Sequence, residues 1–346
     1  MRAPPLLLLF ASALAPPAAT AAEPPSIADD PLLQSHLLHR LVERERSPLL
    51  VPQSIRHAQV PLLRPPYVAH AVSALDCEHA THDITLDPET GVTKATLQLQ
   101  VKATHSPLAS VSFAFDAGLE TEGIWATDRK VIVGQAMLAP MRVVRVDLDP
   151  PLAPGASTVI TMPYAGTLSC ATADGGSITC SKGAEFSYFA HQSIFPYVFD
   201  PEAPEDFVLD GLTRDIVLRV PAVHDVVATG QKISETLDGS TKISRWSIDK
   251  PLSRVVGLYA FAGKLGLLPV GGRTAPTTFI FPSPEKPIDR DLVSWSTPAL
   301  EFVERTSGSR LPFDRSLSLV RLPQTFGDPG TATFGMTLLS DSYARM

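Results

Sequence analysis

The strongest constraint in this chain is the strict alternation at Ala95, Leu97, Leu99, Val101 and Ala103, with polar or charged residues between them. A period of two puts every apolar side chain on one face of an extended strand, so this stretch must lie half-buried in a sheet. Ile84 and Leu86 alternate in the same way just upstream, and Asp87-Pro88-Glu89-Thr90-Gly91 supplies the turn between the two runs. Short strand patterns bounded by turn residues continue at 111–115, 131–133, 142–148, 157–164 and 215–220, and Asp238-Gly239 marks a further hairpin. So many short strands at regular spacing predict a mainly β protein built as a β-sandwich.

Composition agrees and excludes some functions. The chain has 346 residues, 44% hydrophobic and 19% charged, enough for two domains with buried cores. Its 33 prolines are about twice the usual share, and they gather near the N-terminus and at strand boundaries. A formal net charge of −7 gives no electrostatic basis for a nucleic-acid partner.

The first residues have the grammar of an export signal: Arg2, then an apolar stretch from Leu6 to Leu14, then Ala19-Thr20-Ala21 as a cleavage site. The expected arrangement is a signal peptide over 1–22, an N-terminal helix with a proline-rich extension over 23–69, and a β-sandwich over 70–270. The helix is predicted from the cap Asp29-Asp30-Pro31 and from Leu33, Leu37 and Leu41 at a spacing of four. No later stretch is long and apolar enough to span a bilayer. These features predict an exported protein, periplasmic or extracellular, without a transmembrane segment.

Export permits disulfides. Cys170 and Cys180 stand on either side of Asp174-Gly175-Gly176, and a hairpin there would bring them opposite each other. A bridge is the expectation, with two buried thiols as the alternative. Cys77 is left over as a packed thiol, and three scattered cysteines do not form a zinc site.

Near residue 275 the pattern changes. Thr277 to Phe281 reads as a strand, Ile288 to Arg305 as a helical stretch interrupted by Pro298 and stopped at Gly308, and 316–321 and 335–340 as strands. Residues 271–346 therefore read as a second, α+β region.

The stretch 186–264 carries a family resemblance. It runs FSYFAHQSIFPYVFDPEAPEDFVLDGLTRDIVLRVPAVHDVVATGQ, then RWSIDKPLSRVVGLYAFAGKL. An aromatic strand, a proline-flanked turn at Pro196, Asp200, Pro201 and Pro204, an extended Val217–Gly230 segment and a Trp246–Gly263 strand pair follow in order. This resembles the N-terminal sandwich of the zinc aminopeptidases, the gluzincins of the aminopeptidase N and leukotriene hydrolase type. The resemblance implies that 271–346 is the incomplete start of a thermolysin-like catalytic domain, and that full-length relatives hydrolyse peptides with zinc.

That chemistry needs two histidines one helical turn apart, with a glutamate beside the first as proton acceptor. None of the nine histidines here is followed by Glu. His36 and His39 have helical spacing but no nearby carboxylate, and His79 and His82 point to opposite faces of a strand. No catalytic residue, metal site or cofactor is therefore expected in this chain, with zinc belonging only to a full-length family member. The chain reads as the front portion of a metallopeptidase truncated before its zinc motif, inactive alone, with an apolar sheet left bare where the zinc helix would lie.

Two substrate contacts implied by the resemblance fall within the sequence. The family's edge strand, which receives substrate backbone by strand addition, aligns through Phe334-Gly335 with Gly330-Thr331-Ala332-Thr333. Ala332 then stands where an amine-binding glutamate is expected. Gln192 matches the sandwich residue that also reaches the amine, with a strand-end residue bonded to backbone as the alternative, and Asp328 is a weaker substitute anchor. The partner implied is a peptide or protein. The competing reading is a non-catalytic, secreted β-sandwich binding module.

Overall fold

The computed structural model describes residues 73–138, 141–170, 180–190, 193–201, 211–253, 258–270, 277–307, 317–322, 330–333 and 336–340. The export signal, the helix at 31–46 and the proline-rich extension lie outside the described residues. Two compact units divide between Lys264 and Leu265.

The first unit is a β-sandwich. Its largest sheet orders the strands Gln231–Asp238, Thr241–Ser253, Gly211–Pro221, Leu75–Leu86, Val92–Ala103, Ser157–Thr167 and Leu119–Thr121, with Trp125–Ala126 also paired to Ser157–Thr167. The alternation at 95–103 is the reason: all five apolar residues are buried, while Lys94, Gln98 and Gln100 face out. Register sets Ile84 opposite Ala95 and Ala80 opposite Leu99, with a shift between Cys77 and His79. The turn joining these strands is held by Asp87, which accepts from the amide of Glu89 and the hydroxyl of Thr90. Gly91 closes it at φ +75°, where an L side chain is strained.

A second sheet of the unit orders Tyr197–Phe199, Leu108–Asp116, Met141–Leu152 and Lys130–Leu138. It faces the large sheet through Phe115, whose ring lies 5.7 Å from that of Tyr164. Tyr164 is wholly buried and donates to the Ile194 carbonyl at 2.6 Å; burial pushes its hydroxyl pKa far up. A third sheet, Asp225–Ala228, Tyr259–Gly263, Phe186–Ala190 and Cys180–Ser181, is knit by the stacked rings of Tyr188 and Tyr259.

The second unit is a five-stranded mixed sheet in the order Leu265–Val270, Thr277–Pro282, Leu317–Leu322, Met336–Ser340 and Gly330–Thr333. The helix Pro287–Ser307 packs on it through Leu292 and Ala299, against Val270, Phe279, Phe281, Leu319 and Leu339. Pro298 does not interrupt this helix, contrary to the sequence expectation. The ring is exposed, and the buried residues on either side of it anchor both halves of the helix to one sheet.

The expectation of a bare sheet is also corrected. Consecutive residues point to opposite faces, and Phe279, Ile280 and Phe281 are all buried, as are Leu319 with Val320 and Leu338 with Leu339. Burial on both faces is the pattern of central strands in a parallel array, and the pairings of Leu317–Leu322 on both sides are parallel.

Candidate functional site

The predicted substrate strand is the last strand of the second unit's sheet. Gly330–Thr333 pairs antiparallel with Met336–Ser340, setting Gly330 opposite Leu339, Thr331 opposite Leu338, Ala332 opposite Thr337 and Thr333 opposite Met336. Among the described residues its other edge pairs with no strand. The supporting strand is buried from Met336 to Leu339, so the edge is backed by packed residues rather than by a loop. Such an edge offers backbone donors and acceptors to an extended peptide. Phe334 and Gly335, on which the alignment rests, lie outside the described residues, as do Gln192 and Asp328.

The sheet behind this edge is tied to its helix by an ion pair that sequence reasoning did not find. Arg321 projects from Leu317–Leu322 and Asp289 from the first turn of the helix, and both side chains are almost wholly buried. Arg321 Nε lies 2.5 Å from Asp289 Oδ1 and Nη2 3.3 Å from Oδ2. The same carboxylate accepts the Lys286 amide at 2.6 Å, capping the helix N-terminus. The two residues are 32 apart in sequence, and no local pattern links them.

The bridge between Cys170 and Cys180 is present. Asp116 holds the first of these in place: its carboxylate accepts the amides of Gly118, Ser169 and Cys170 and the Ser169 hydroxyl. Cys77 is buried and takes no part in a disulfide. Asp200, singled out by the proline-flanked turn, is buried and accepts from Ser73 Oγ and the Ala74 amide. Its role here is to fasten the start of the first strand.

No group of three metal-ligating side chains exists among the described residues. His79 Nδ1 lies 2.8 Å from Thr213 Oγ1, and its Nε2 lies 3.5 Å from Asp215. His82 is buried edge-on to Phe195. His224 is buried with Nε2 3.6 Å from Glu89. Each of the two histidine–carboxylate pairs lacks a third ligand, so these residues do not fit a zinc ion, and no step through zinc is derived. His36 and His39 lie outside the described residues.

By sequence comparison, no family model and no curated protein matches the chain. Comparison of folds gives a different result. An M1 zinc metallopeptidase from Deinococcus radiodurans matches with a TM-score of 0.58 at 19% identity, over 77% of this chain and 60% of that one. The chain has the fold of the M1 zinc metallopeptidases. A two-domain M1 zinc metallopeptidase variant bound to L-arginine matches at TM-score 0.61 and 18% identity, over 80% of this chain and 62% of that one. A Deinococcus radiodurans variant bound to a Tyr-Ser-Ala substrate gives 0.58 and 20%, over 77% and 60%. The chain thus spans less than two thirds of the length of these structures, and at such identity the likeness is one of fold.

Proposed function

We propose that this chain is the front portion of an exported zinc metallopeptidase of the aminopeptidase type, comprising the sandwich and the opening of the catalytic domain, and that it is inactive on peptides alone. The observation that carries this reading is the edge strand Gly330–Thr333 on a mixed sheet backed by a helix, within a fold shared with M1 zinc metallopeptidases. In this reading the strand presents its backbone to an extended peptide, with Thr331 and Thr333 flanking Ala332 along it. The zinc ligands and the proton acceptor belong to residues that this sequence does not contain. Export is supported by the disulfide and by the leader at 1–22; no helix among the described residues is long and apolar enough to cross a membrane.

Two measurements test it. The purified chain, supplied with zinc, should hold no stoichiometric metal and release no product from aminoacyl or peptide substrates; zinc-dependent turnover would refute the inactivity. Transcript sequencing beyond codon 346 should reveal a His-Glu-x-x-His segment, in frame or frameshifted, and a stop without one would defeat the reading. The second reading, a non-catalytic peptide-binding module, is favoured by Ala332 in the place of the amine-binding glutamate.

A further inference from the structure

Every open sheet has two edges, and an edge strand left unguarded is a template for another strand. Most edges in this protein are blunted. Leu119–Thr121, Trp125–Ala126, Cys180–Ser181, Tyr197–Phe199 and Asp225–Ala228 are two to four residues long, and Gly330–Thr333 is the edge already proposed to receive a peptide. Leu265–Val270 carries Pro269. Gln231–Asp238 is long, but it bears Lys232, Glu235 and Asp238 and its register shifts between Lys232 and Ser234. These are the usual guards: shortness, proline, charge and bulge.

Lys130–Leu138 has none of them beyond a single terminal lysine. It is nine residues long, KVIVGQAML, and pairs with Met141–Leu152 through nine successive partners without a register shift. It ends its sheet, with no strand on the other side among the described residues. Ile132 is 62% exposed and Met137 53%, and Trp125 of the facing sheet is 52% exposed. Its one charge, Lys130, sits at the very end.

We propose that this edge is a homodimer interface, in which two copies pair antiparallel about a two-fold axis through Gly134. Charge selects this occupant. The arginines beside the strand are paired within the chain, Arg142 with Glu120 and Gln135, Arg145 with Asp147, and Arg129 with Asp128. A neutral edge therefore suits a neutral partner. The two-fold register sets Val131 against Met137, Ile132 against Ala136 and Val133 against Gln135 of the other copy. It places each Lys130 opposite an uncharged Leu138, at opposite ends of the ladder from its twin. A parallel pairing in register would bring the two lysines together, which is unfavourable. Gly134 at the centre is open, since a Cβ built there meets nothing within 4 Å. The contact is isologous, as a closed dimer requires.

The register makes the test specific. Gly134→Cys places two thiols across the axis, within the Cα separation that a disulfide spans. Ile132→Cys places them roughly 13 Å apart along the strands, beyond reach. The full chain should sediment at twice its monomer mass. Under mild oxidation Gly134→Cys should give at least tenfold more cross-linked dimer than Ile132→Cys, while the wild type, with Cys77 buried, gives none. In a register-specific rescue, Ile132→Lys with Ala136→Lys should leave a monomer, and Ile132→Lys with Ala136→Glu should restore the dimer. A monomer throughout the accessible concentration range overturns the proposal. So does equal cross-linking at both positions, which would mean unspecific edge association. A monomer whose edge amides resist hydrogen exchange would assign the edge to another segment of the same chain, and also overturns it.

Discussion

Individual residues show how the local charge balance holds each unit together. Asp128 accepts from Arg129 at 2.7 Å and from Thr158 at 2.5 Å. These hydrogen bonds, the Arg129 guanidinium first, hold its carboxyl well below the ordinary 3.8, at about 2. A depressed carboxylate stabilises the fold above its unfolded pKa and loses that contribution as pH falls through the folded value. The window is therefore roughly pH 4 to 2, and the half-exposed side chain keeps the effect small through solvent screening. A carboxyl-carbon NMR titration should find its midpoint near 2, and Arg129→Ala should move it upward toward the ordinary range. Asp289 and Arg321 are the opposite case, a pair removed from water. Arg321→Leu would leave a buried carboxylate with only the Lys286 amide, and should destabilise the second unit by about 3–5 kcal/mol. Urea unfolding followed by the fluorescence of Trp295, which lies on the packed helix, measures this; a loss under about 1 kcal/mol would mean that water reaches the pair.

At the level of elements, what the sequence displayed clearly was periodicity. The strands at 84–86, 95–103, 142–148 and 157–164 were legible because their alternation is imposed by a sheet with one buried face, and each lies where expected. The helix ran through Pro298 because tertiary packing at Leu292 and Ala299 outweighs one lost backbone hydrogen bond, a balance invisible to local rules. The buried pair Asp289–Arg321 and the anchor Asp116 for the Cys170 loop were not legible either, since each joins segments 32 to 54 residues apart. The disulfide was legible from turn chemistry, and its closing loop allows a prediction. With a sequence separation of 10, the bridge should contribute about 2–3 kcal/mol through the entropy of the unfolded chain. Non-reducing peptide mapping should recover Cys170 linked to Cys180, with Cys77 alkylated only after unfolding. Cys170→Ser with Cys180→Ser should lower the sandwich's unfolding midpoint accordingly; an unchanged midpoint would show that Asp116 alone fixes the loop.

For the whole molecule, the question is what a metallopeptidase fold can do with the residues that this chain supplies. In the proposed function the edge Gly330–Thr333 offers its backbone to an extended peptide, and hydrogen bonds of that kind do not distinguish a free amine from a blocked one. In the proposed alignment the discriminating carboxylate is replaced by Ala332, whose methyl group cannot compensate an ammonium. A peptide with a free N-terminus should therefore bind no better than its acetylated form, with affinities within about twofold by calorimetry. Ala332→Glu restores a charge-assisted contact of about 1.5–3 kcal/mol, so the variant should favour the free amine by roughly tenfold or more. The comparison separates two failures. If neither peptide binds either protein, the edge is not a peptide site, and the binding-module reading falls. If the wild type already prefers the free amine tenfold, the alignment through Phe334-Gly335 is wrong, and Gln192 and Asp328 are the residues whose replacement should abolish the preference.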